Sequence, residues 1–384
     1  MLSVNPALDY SLPYRVLAFY AVTPLDDVDE KVEAHRSFLA EHSMVGRVYV
    51  CADGLNAQVS GTAAACAEYR AFAAQELPPT LQLIFKEDPV GEPAFPKLRV
   101  KHKQLVPNGP NGQRPDLSMR GEDLSPERWA AMLEEHAVGS ESSDAVVLDV
   151  RNSYEWDVGR FDGADRPALD NFAEFDASTY GLPTDAEAKK NTPVMMYCTG
   201  GIRCEYFSAH LKAEGFEKVY KLQGGVQHYG NTMSQQAVPE PSPAPHWKGS
   251  LFVFDRRNTV RFDRSGADAP PMEPIGQCHH CSAPTEAFVN CCNVDCNKLH
   301  LVCPRCLTRH KGFCSDPCEG APRRRPLDLL AATEEDGELD FAKAIAATQG
   351  PAPGAKDPNK LVSFKPANIR RSEYDADEHG FEPK

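Results

Sequence analysis

The first hundred residues switch between two periods of hydrophobicity. Arg15–Val22 is an apolar run of strand length, and Leu25–His42 follows with Val28, Val32, His35 and Leu39 at helical spacing. Val45–Cys51 and Leu55–Ser60 read as strands around the turn Ala52-Asp53-Gly54, Thr62–Gln75 as a second helix, and Leu81–Lys86 as a further strand. That order, βαββαβ, is the split βαβ or ferredoxin-like arrangement, and it predicts an α+β domain over residues 13–115. His35 falls on the apolar side of its helix, where a hydrogen-bonded structural histidine is expected.

Phe95–Val106 breaks the pattern. Lys97, Arg99, Lys101, His102 and Lys103 occur with no acid among them and alternate with Leu98 and Val100, which predicts an extended segment with one basic face. Two readings stand side by side: an edge strand guarded by lysines, or a strip that binds phosphates. Pro107–Pro115, rich in Pro, Gly and Asn, reads as a linker.

From about residue 120 to 245, strands alternate with helical stretches. Ala145–Val150 is a short buried strand leading to Asp149 and Arg151, Ser153–Val158 is helix-like, and Gly159–Ala164 follows. Pro193–Tyr197 is a second buried strand, Tyr206–Gly215 a helix, and Leu222–Val226 closes the domain. This alternation predicts an α/β fold, a doubly wound parallel sheet whose reactive site lies at the carboxyl ends of its strands.

Cys198-Thr199-Gly200-Gly201-Ile202-Arg203-Cys204-Glu205 stands at such an end. Two adjacent glycines let successive N–H groups of Thr199, Gly200, Gly201 and Ile202 turn inward, and the helix start adds positive charge, so Cys198 is expected to be a thiolate near neutral pH. A phosphate cradle would need its arginine at position 204. That position is Cys, and the arginine is Arg203, so the ring has six residues and suits a persulfide sulfur or another small group. The expected roles are Cys198 as nucleophile or redox thiolate, Arg203 holding the loop and balancing charge, and Asp149 with Arg151 orienting the loop. Cys204 either resolves a sulfenic or persulfide intermediate as a disulfide or packs against the sheet.

Composition adds three constraints. The 384 residues are 41% hydrophobic, enough for two or three cored domains, yet no apolar run reaches the roughly 18 residues of a membrane span. A net charge of −14 argues against indiscriminate nucleic-acid binding but leaves room for a local basic strip. The N-terminus lacks a signal-peptide pattern, so the cytoplasm is the expected location.

Cysteine usage is uneven: of 13 cysteines, all but Cys51, Cys66, Cys198 and Cys204 fall between positions 278 and 318. The knuckles Cys278-x-x-Cys281 and Cys303-x-x-Cys306 can share one tetrahedral zinc, and Cys291 or Cys292 with Cys296, Cys314 and Cys318 can form a second, interleaved site. His300 and His310 are substitutes for a cysteine, and a redox or disulfide cluster is the alternative. This makes residues 246–320 a cysteine-rich, zinc-type segment. Residues 321–384 read as a mostly disordered tail with one short helix near Leu339–Thr348.

Asp149-Val150-Arg151, Glu155, Gly159–Ala164, the cysteine loop and Leu222–Gly225 together resemble the rhodanese domain in order and spacing, with Arg160 where that domain usually has His. Asp53–Ser60, Phe95–Lys101, the second loop cysteine, Phe252–Asp255 and the cysteine-rich segment extend the resemblance over residues 13 to 320. They are similar to the bacterial tRNA uridine hydroxylase (TrhO) family and its eukaryotic rhodanese-like relatives. Asp53-Gly54-Leu55-Asn56 stands where that family usually has Glu-Gly-Ile-Asn, and its recurrent cysteine after Asn favours Cys291 over Cys292. The resemblance implies hydroxylation of the wobble uridine of tRNA to 5-hydroxyuridine, with molecular oxygen as co-substrate and Cys198 essential. It makes the anticodon arm the partner, and the acid-free run carrying Lys97, Arg99, Lys101 and Lys103 is the expected phosphate contact for it. No flavin or nicotinamide fingerprint and no iron-ligand triad is recognisable in the residues. Two other functions fit the same loop and segment: a sulfurtransferase charged by a persulfide donor, and a non-enzymatic, zinc-stabilised interaction protein.

Overall fold

Alternating burial builds the N-terminal sheet. In β2 (Tyr14–Val22), Leu17, Phe19 and Ala21 enter one core while Tyr20 and Val22 join a cluster on the opposite face. The computed structural model describes residues 1–5, 8–106, 114–140, 143–167, 180–234, 244–262 and 274–324. In chain order the first domain comprises β1 (Leu2–Val4), β2, α1 (Val28–Glu41), β3 (Val45–Cys51), β4 (Gly54–Thr62), α2 (Ala63–Gln75), β5 (Phe85–Val90) and β6 (Leu98–His102). The sheet order is β1-β5-β2-β4-β3-β6. Its inner four strands are antiparallel and ferredoxin-like, and β1 and β6 extend the two edges in parallel. Helices α1 and α2 cover one face, where Val32, Leu39, Cys66 and Tyr69 pack on the strands. His35 is buried among them with Nδ1 2.9 Å from the Tyr69 hydroxyl, and burial brings its imidazole down to about 4, so it is neutral.

The element boundaries differ from the expected ones for local reasons. Thr23 and Leu25 donate their N–H groups to the Asp53 and Ala52 carbonyls, so α1 starts only at Val28. Thr62 is the cap of α2, its hydroxyl accepting from the Ala65 N–H. The strand expected at Leu81–Lys86 lies at Phe85–Val90, because the polar run Lys86-Glu87-Asp88-Pro89 is buried rather than a turn. Glu87 meets Arg15 and Arg70, and Asp88 meets Arg257, so those charges have partners inside the fold. β1, which the pattern did not reveal, pairs with this displaced strand.

The central domain contains β7 (Glu122–Leu124), α3 (Pro126–Glu135), β8 (Val146–Asp149), α4 (Ser153–Val158), β9 (Gly159–Phe161), α5 (Ala186–Asn191), β10 (Val194–Tyr197), α6 (Ile202–Ala213), β11 (Val219–Leu222) and α7 (Gly225–Met233). β7, β11, β10 and β8 form a wholly parallel sheet in that order. Trp129, Leu133, Phe161 and Tyr229 fill one of its faces, and Leu148, Met196, Phe207 and Leu211 the other. Helix α6 begins at Ile202, not Tyr206, so Arg203 and Cys204 belong to a helical first turn. β12 (Trp247–Gly249) and the antiparallel pair β13 (Leu251–Phe252) and β14 (Thr259–Val260) follow.

Two compact units divide the chain. One holds the described residues of 1–156 and 160–272, and the other holds 157–159 with the described cysteine-rich residues. The second contains the antiparallel pair β15 (Phe288–Asn290) and β16 (Leu299–Leu301), then α8 (Pro304–His310) and α9 (Asp316–Glu319). Among the described residues no helix is long and apolar enough to cross a membrane. The helix expected at Leu339–Thr348 and most of the linker Pro107–Pro115 lie outside the described residues.

Candidate active site at the cysteine loop

Strand β10 is buried along its whole length and delivers Cys198, itself fully buried, to the start of α6. The Gly201 N–H donates to the Cys198 sulfur at 3.1 Å, and the Cys204 N–H closes the first turn of α6 on the Gly201 carbonyl at 3.1 Å. Burial alone would push this thiol up. The neighbouring Cys204 thiol, the Arg203 guanidinium and the backbone N–H groups of the loop outweigh burial and bring it down to about 5. Burial first, and then the neighbouring thiolate, push the Cys204 thiol well up, so one member of the pair is charged and the other carries a proton.

Glycine is required at two points of the cradle. Gly201 has φ of 101°, and a Cβ there would lie 2.8 Å from the Tyr20 hydroxyl oxygen. A Cβ on Gly225 would lie 2.5 Å from the Gly201 nitrogen. This close approach lets the start of α7 grip the loop: the Val226 N–H donates to the Cys198 carbonyl at 3.0 Å and the Gln227 N–H to the Thr199 carbonyl at 3.1 Å.

Arg203 is held at both ends of its fork. Its Nη1 and Nη2 donate to the two Glu155 oxygens at 2.7 and 2.8 Å, and Thr199 Oγ1 donates to Glu155 at 2.7 Å. Burial raises the Glu155 carboxyl, but Arg203 beside it holds the group below the ordinary carboxylate range. The clamp is therefore a neutral ion pair that fixes Thr199. In the sequence Glu155 stands out only as part of the rhodanese resemblance, with no role of its own. The signal available was that a guanidinium beside a buried loop needs an anion of its own.

Asp149 and Arg151 lie one step further back. Arg151 Nε and Nη2 donate to both Asp149 oxygens at 2.7 to 3.1 Å, and Tyr197 donates its hydroxyl to Asp149 at 2.8 Å. Because Tyr197 precedes Cys198, this fully buried group fixes the end of β10. Arg160, in the place usual for His, stacks on Trp156 at 3.8 Å.

The basic run lies on the outer strand β6, paired with β3. Leu98 and Val100 face the helical layer, while Arg99 and Lys101 stand opposite Arg47 and Tyr49 on the other sheet face. Alternation places Lys97 on that face too, and the Lys103 ammonium lies 5.0 Å from the Tyr49 ring centroid. Tyr20 and Tyr49 share this face and pack with Ile202 and Tyr206 of α6, so the basic run and the cysteine loop lie on the same side of the N-terminal sheet. Glu205, the last residue of the stretch, accepts from Tyr20 at 2.9 Å and pairs with Arg120 and Lys221.

Within the cysteine-rich unit, Cys278, Cys281, Cys303 and Cys306 form one group and Cys291, Cys296, Cys314 and Cys318 another, the sulfurs of each lying within 4.8 Å of one another. Contacts of 3.7 Å for Cys281–Cys303 and Cys296–Cys314 and 3.8 Å for Cys314–Cys318 match the edge of about 3.8 Å that four sulfurs make around zinc at about 2.3 Å. The Cys314 N–H and the Asn293 side-chain amide donate to the Cys291 and Cys318 sulfurs, a second shell suited to thiolates. Neither His300 nor His310 belongs to either group.

A parallel sheet that ends in a glycine-turned thiolate loop, clamped by an Arg–Glu pair, defines a rhodanese-like domain. The rhodanese-like domain family matches residues 130–232, between the UPF0176 acylphosphatase like domain at 14–106 and the rhodanase C-terminal family at 248–319. A tRNA uridine(34) hydroxylase of Protochlamydia amoebophila is 39% identical over 82% of this chain and 90% of its own length. Relatives of the same name from Chlamydia pneumoniae and Chlamydia trachomatis serovar D are 36% and 37% identical, over 82% and 86% of this chain and 90% and 92% of their own lengths. The chain belongs to the tRNA uridine(34) hydroxylase family.

Proposed function

We propose that this protein hydroxylates uridine 34 of tRNA at C5 in the cytoplasm, with dioxygen as co-substrate and Cys198 as the reactive group. The observation that carries the reading is the buried Cys198 sulfur, which accepts the Gly201 N–H at 3.1 Å and is held as a thiolate with Cys204 beside it, inside a chain of this family. Placing one oxygen atom on C5 leaves the other to be reduced to water, which takes two electrons and two protons. Closure of a Cys198–Cys204 disulfide supplies both electrons: uridine, dioxygen and two thiols give hydroxyuridine, water and one disulfide. A cellular thiol reductant then reopens the pair. Arg203, Glu155 and Thr199 hold the loop, and Asp149 with Arg151 anchors the strand behind it.

Lys97, Arg99, Lys101 and Lys103 serve as phosphate contacts for the anticodon arm, on the sheet face that looks toward the loop. The two four-cysteine groups hold structural zinc. Four thiolates complete the tetrahedron, so the metal would cross-link the unit rather than activate oxygen.

Deleting the gene should deplete 5-hydroxyuridine-type nucleosides at position 34, measured by mass spectrometry of purified tRNA, and Cys198→Ser should fail to restore them. Unchanged tRNA, together with brisk sulfur transfer from thiosulfate to cyanide by the pure protein, would replace this reading with a sulfurtransferase.

A further inference from the structure

Lys86 reaches from strand β5 of the N-terminal sheet into the cysteine loop. Its Nζ donates to the Gly200 carbonyl at 2.9 Å and the Gly224 carbonyl at 3.5 Å and lies 5.4 Å from the Tyr20 ring centroid. The residue is 2% exposed. Both hydrogen-bond acceptors are neutral. Among the described residues no carboxylate pairs with Lys86, and its neighbours in the strand are committed elsewhere, Glu87 to Arg15 and Arg70 and Asp88 to Arg257. A buried ammonium without an anion is costly.

The groups around it leave one candidate for that anion. Burial keeps the Tyr20 phenol protonated and His228 neutral. Glu205, beyond Tyr20, is paired with Arg120 and Lys221. Arg203 acts on Cys198 too, but it is a cation already paired with Glu155 and offers Lys86 no anion, and Cys204 keeps its proton. Cys198 remains. We propose that Lys86 is the counter-ion of the Cys198 thiolate, delivered to the central domain by the N-terminal one. Its two carbonyl contacts also position Gly200 and Gly224, where the loop meets the start of α7. Burial lowers the Lys86 ammonium to about 8 while the Cys198 charge pulls it upward. The N-terminal domain thereby completes the reactive centre in addition to presenting a basic face, and any anion formed on the Cys198 sulfur during turnover sits against the same charge.

The inference rests on the reading of Cys198 as a reactive thiolate, and one experiment separates the two. Iodoacetamide labelling of the full-length protein across pH, read at the Cys198 peptide by mass spectrometry, gives that thiol's apparent pKa. The wild type should label far below the free-cysteine value of about 8.5. Lys86→Met should raise the value by about one unit or more, and Lys86→Arg should restore most of the shift. A wild-type value near about 8.5 overturns the thiolate reading and the inference with it. A low wild-type value that persists in Lys86→Met overturns the inference alone. Should Lys86→Met not fold, side-chain NMR of lysine-labelled protein supplies the reciprocal test. Lys86 should titrate about one unit lower in Cys198→Ser than in wild type, and equal titration overturns the pairing.

Discussion

The Cys198 thiolate couples folding to pH, and Cys198→Ser removes the coupling while keeping a hydrogen-bond acceptor in the loop. In an unfolded chain the thiol titrates at about 8.5, whereas in the folded protein it is brought down to about 5. Between those values the unfolded state holds a proton that the native state lacks, so stability rises with pH. The contribution is complete above the unfolded value and is lost as pH falls through the folded one. Each pH unit inside the window is worth about 1.4 kcal/mol, so roughly 2 to 3 kcal/mol accumulates from about pH 5.5 to about 7.5. Urea unfolding followed by tryptophan fluorescence measures it, since Trp129, Trp156 and Trp247 all lie in the first compact unit. Subtracting the Cys198→Ser curve from the wild-type curve cancels the titration of the cysteine-rich unit. The difference should widen by that amount over the window. Parallel curves would refute the argument that the cradle stabilises a thiolate.

Glu155→Gln leaves the Arg203 guanidinium in a buried site without its anion, which costs about 3 kcal/mol or more and should lower the melting temperature by roughly 6 to 12 °C; a change within about 1 °C in a fluorescence melt contradicts the clamp. Cys278→Ser should remove one of two zinc equivalents by elemental analysis and destabilise the cysteine-rich unit, and full zinc content in the variant would exclude that ligand set. Arg99→Glu combined with Lys101→Glu should weaken tRNA binding and reduce the salt dependence of log K by about 2, with Cys198 labelling unchanged. Equal binding across salt would remove the strip from the substrate path.

How much of this was legible depends on whether a feature is local. The alternation in Arg15–Val22 and the helical spacing of Val28, Val32, His35 and Leu39 carry their own period, and both elements form where that period places them. The cysteine loop was legible for the same reason, because Gly-Gly between an apolar strand and a helix declares a backbone conformation before any partner is known. Lys86-Glu87-Asp88-Pro89 was not legible. In one dimension it has the composition of a turn, and only the fold brings Arg15, Arg70, Arg257 and the Gly200 carbonyl to these side chains. The pairing of Arg203 with Glu155 was hidden in the same way, since residues from two separate helices meet only after the parallel sheet forms. The four-cysteine groups fall between these cases: C-x-x-C spacing marks a knuckle but leaves Cys291 and Cys292 open, the family resemblance favours Cys291, and the fold groups Cys291 with Cys296, Cys314 and Cys318.

Single-turnover reaction of the fully reduced protein with tRNA under isotopically heavy dioxygen tests the central claim most directly. The account predicts that the heavy atom enters the nucleoside at position 34 and that one Cys198–Cys204 disulfide forms for each uridine converted, with neither product in Cys198→Ser. Product that takes its oxygen from water, or heavy-atom product formed while both cysteines stay reduced and no other reductant is present, would contradict it.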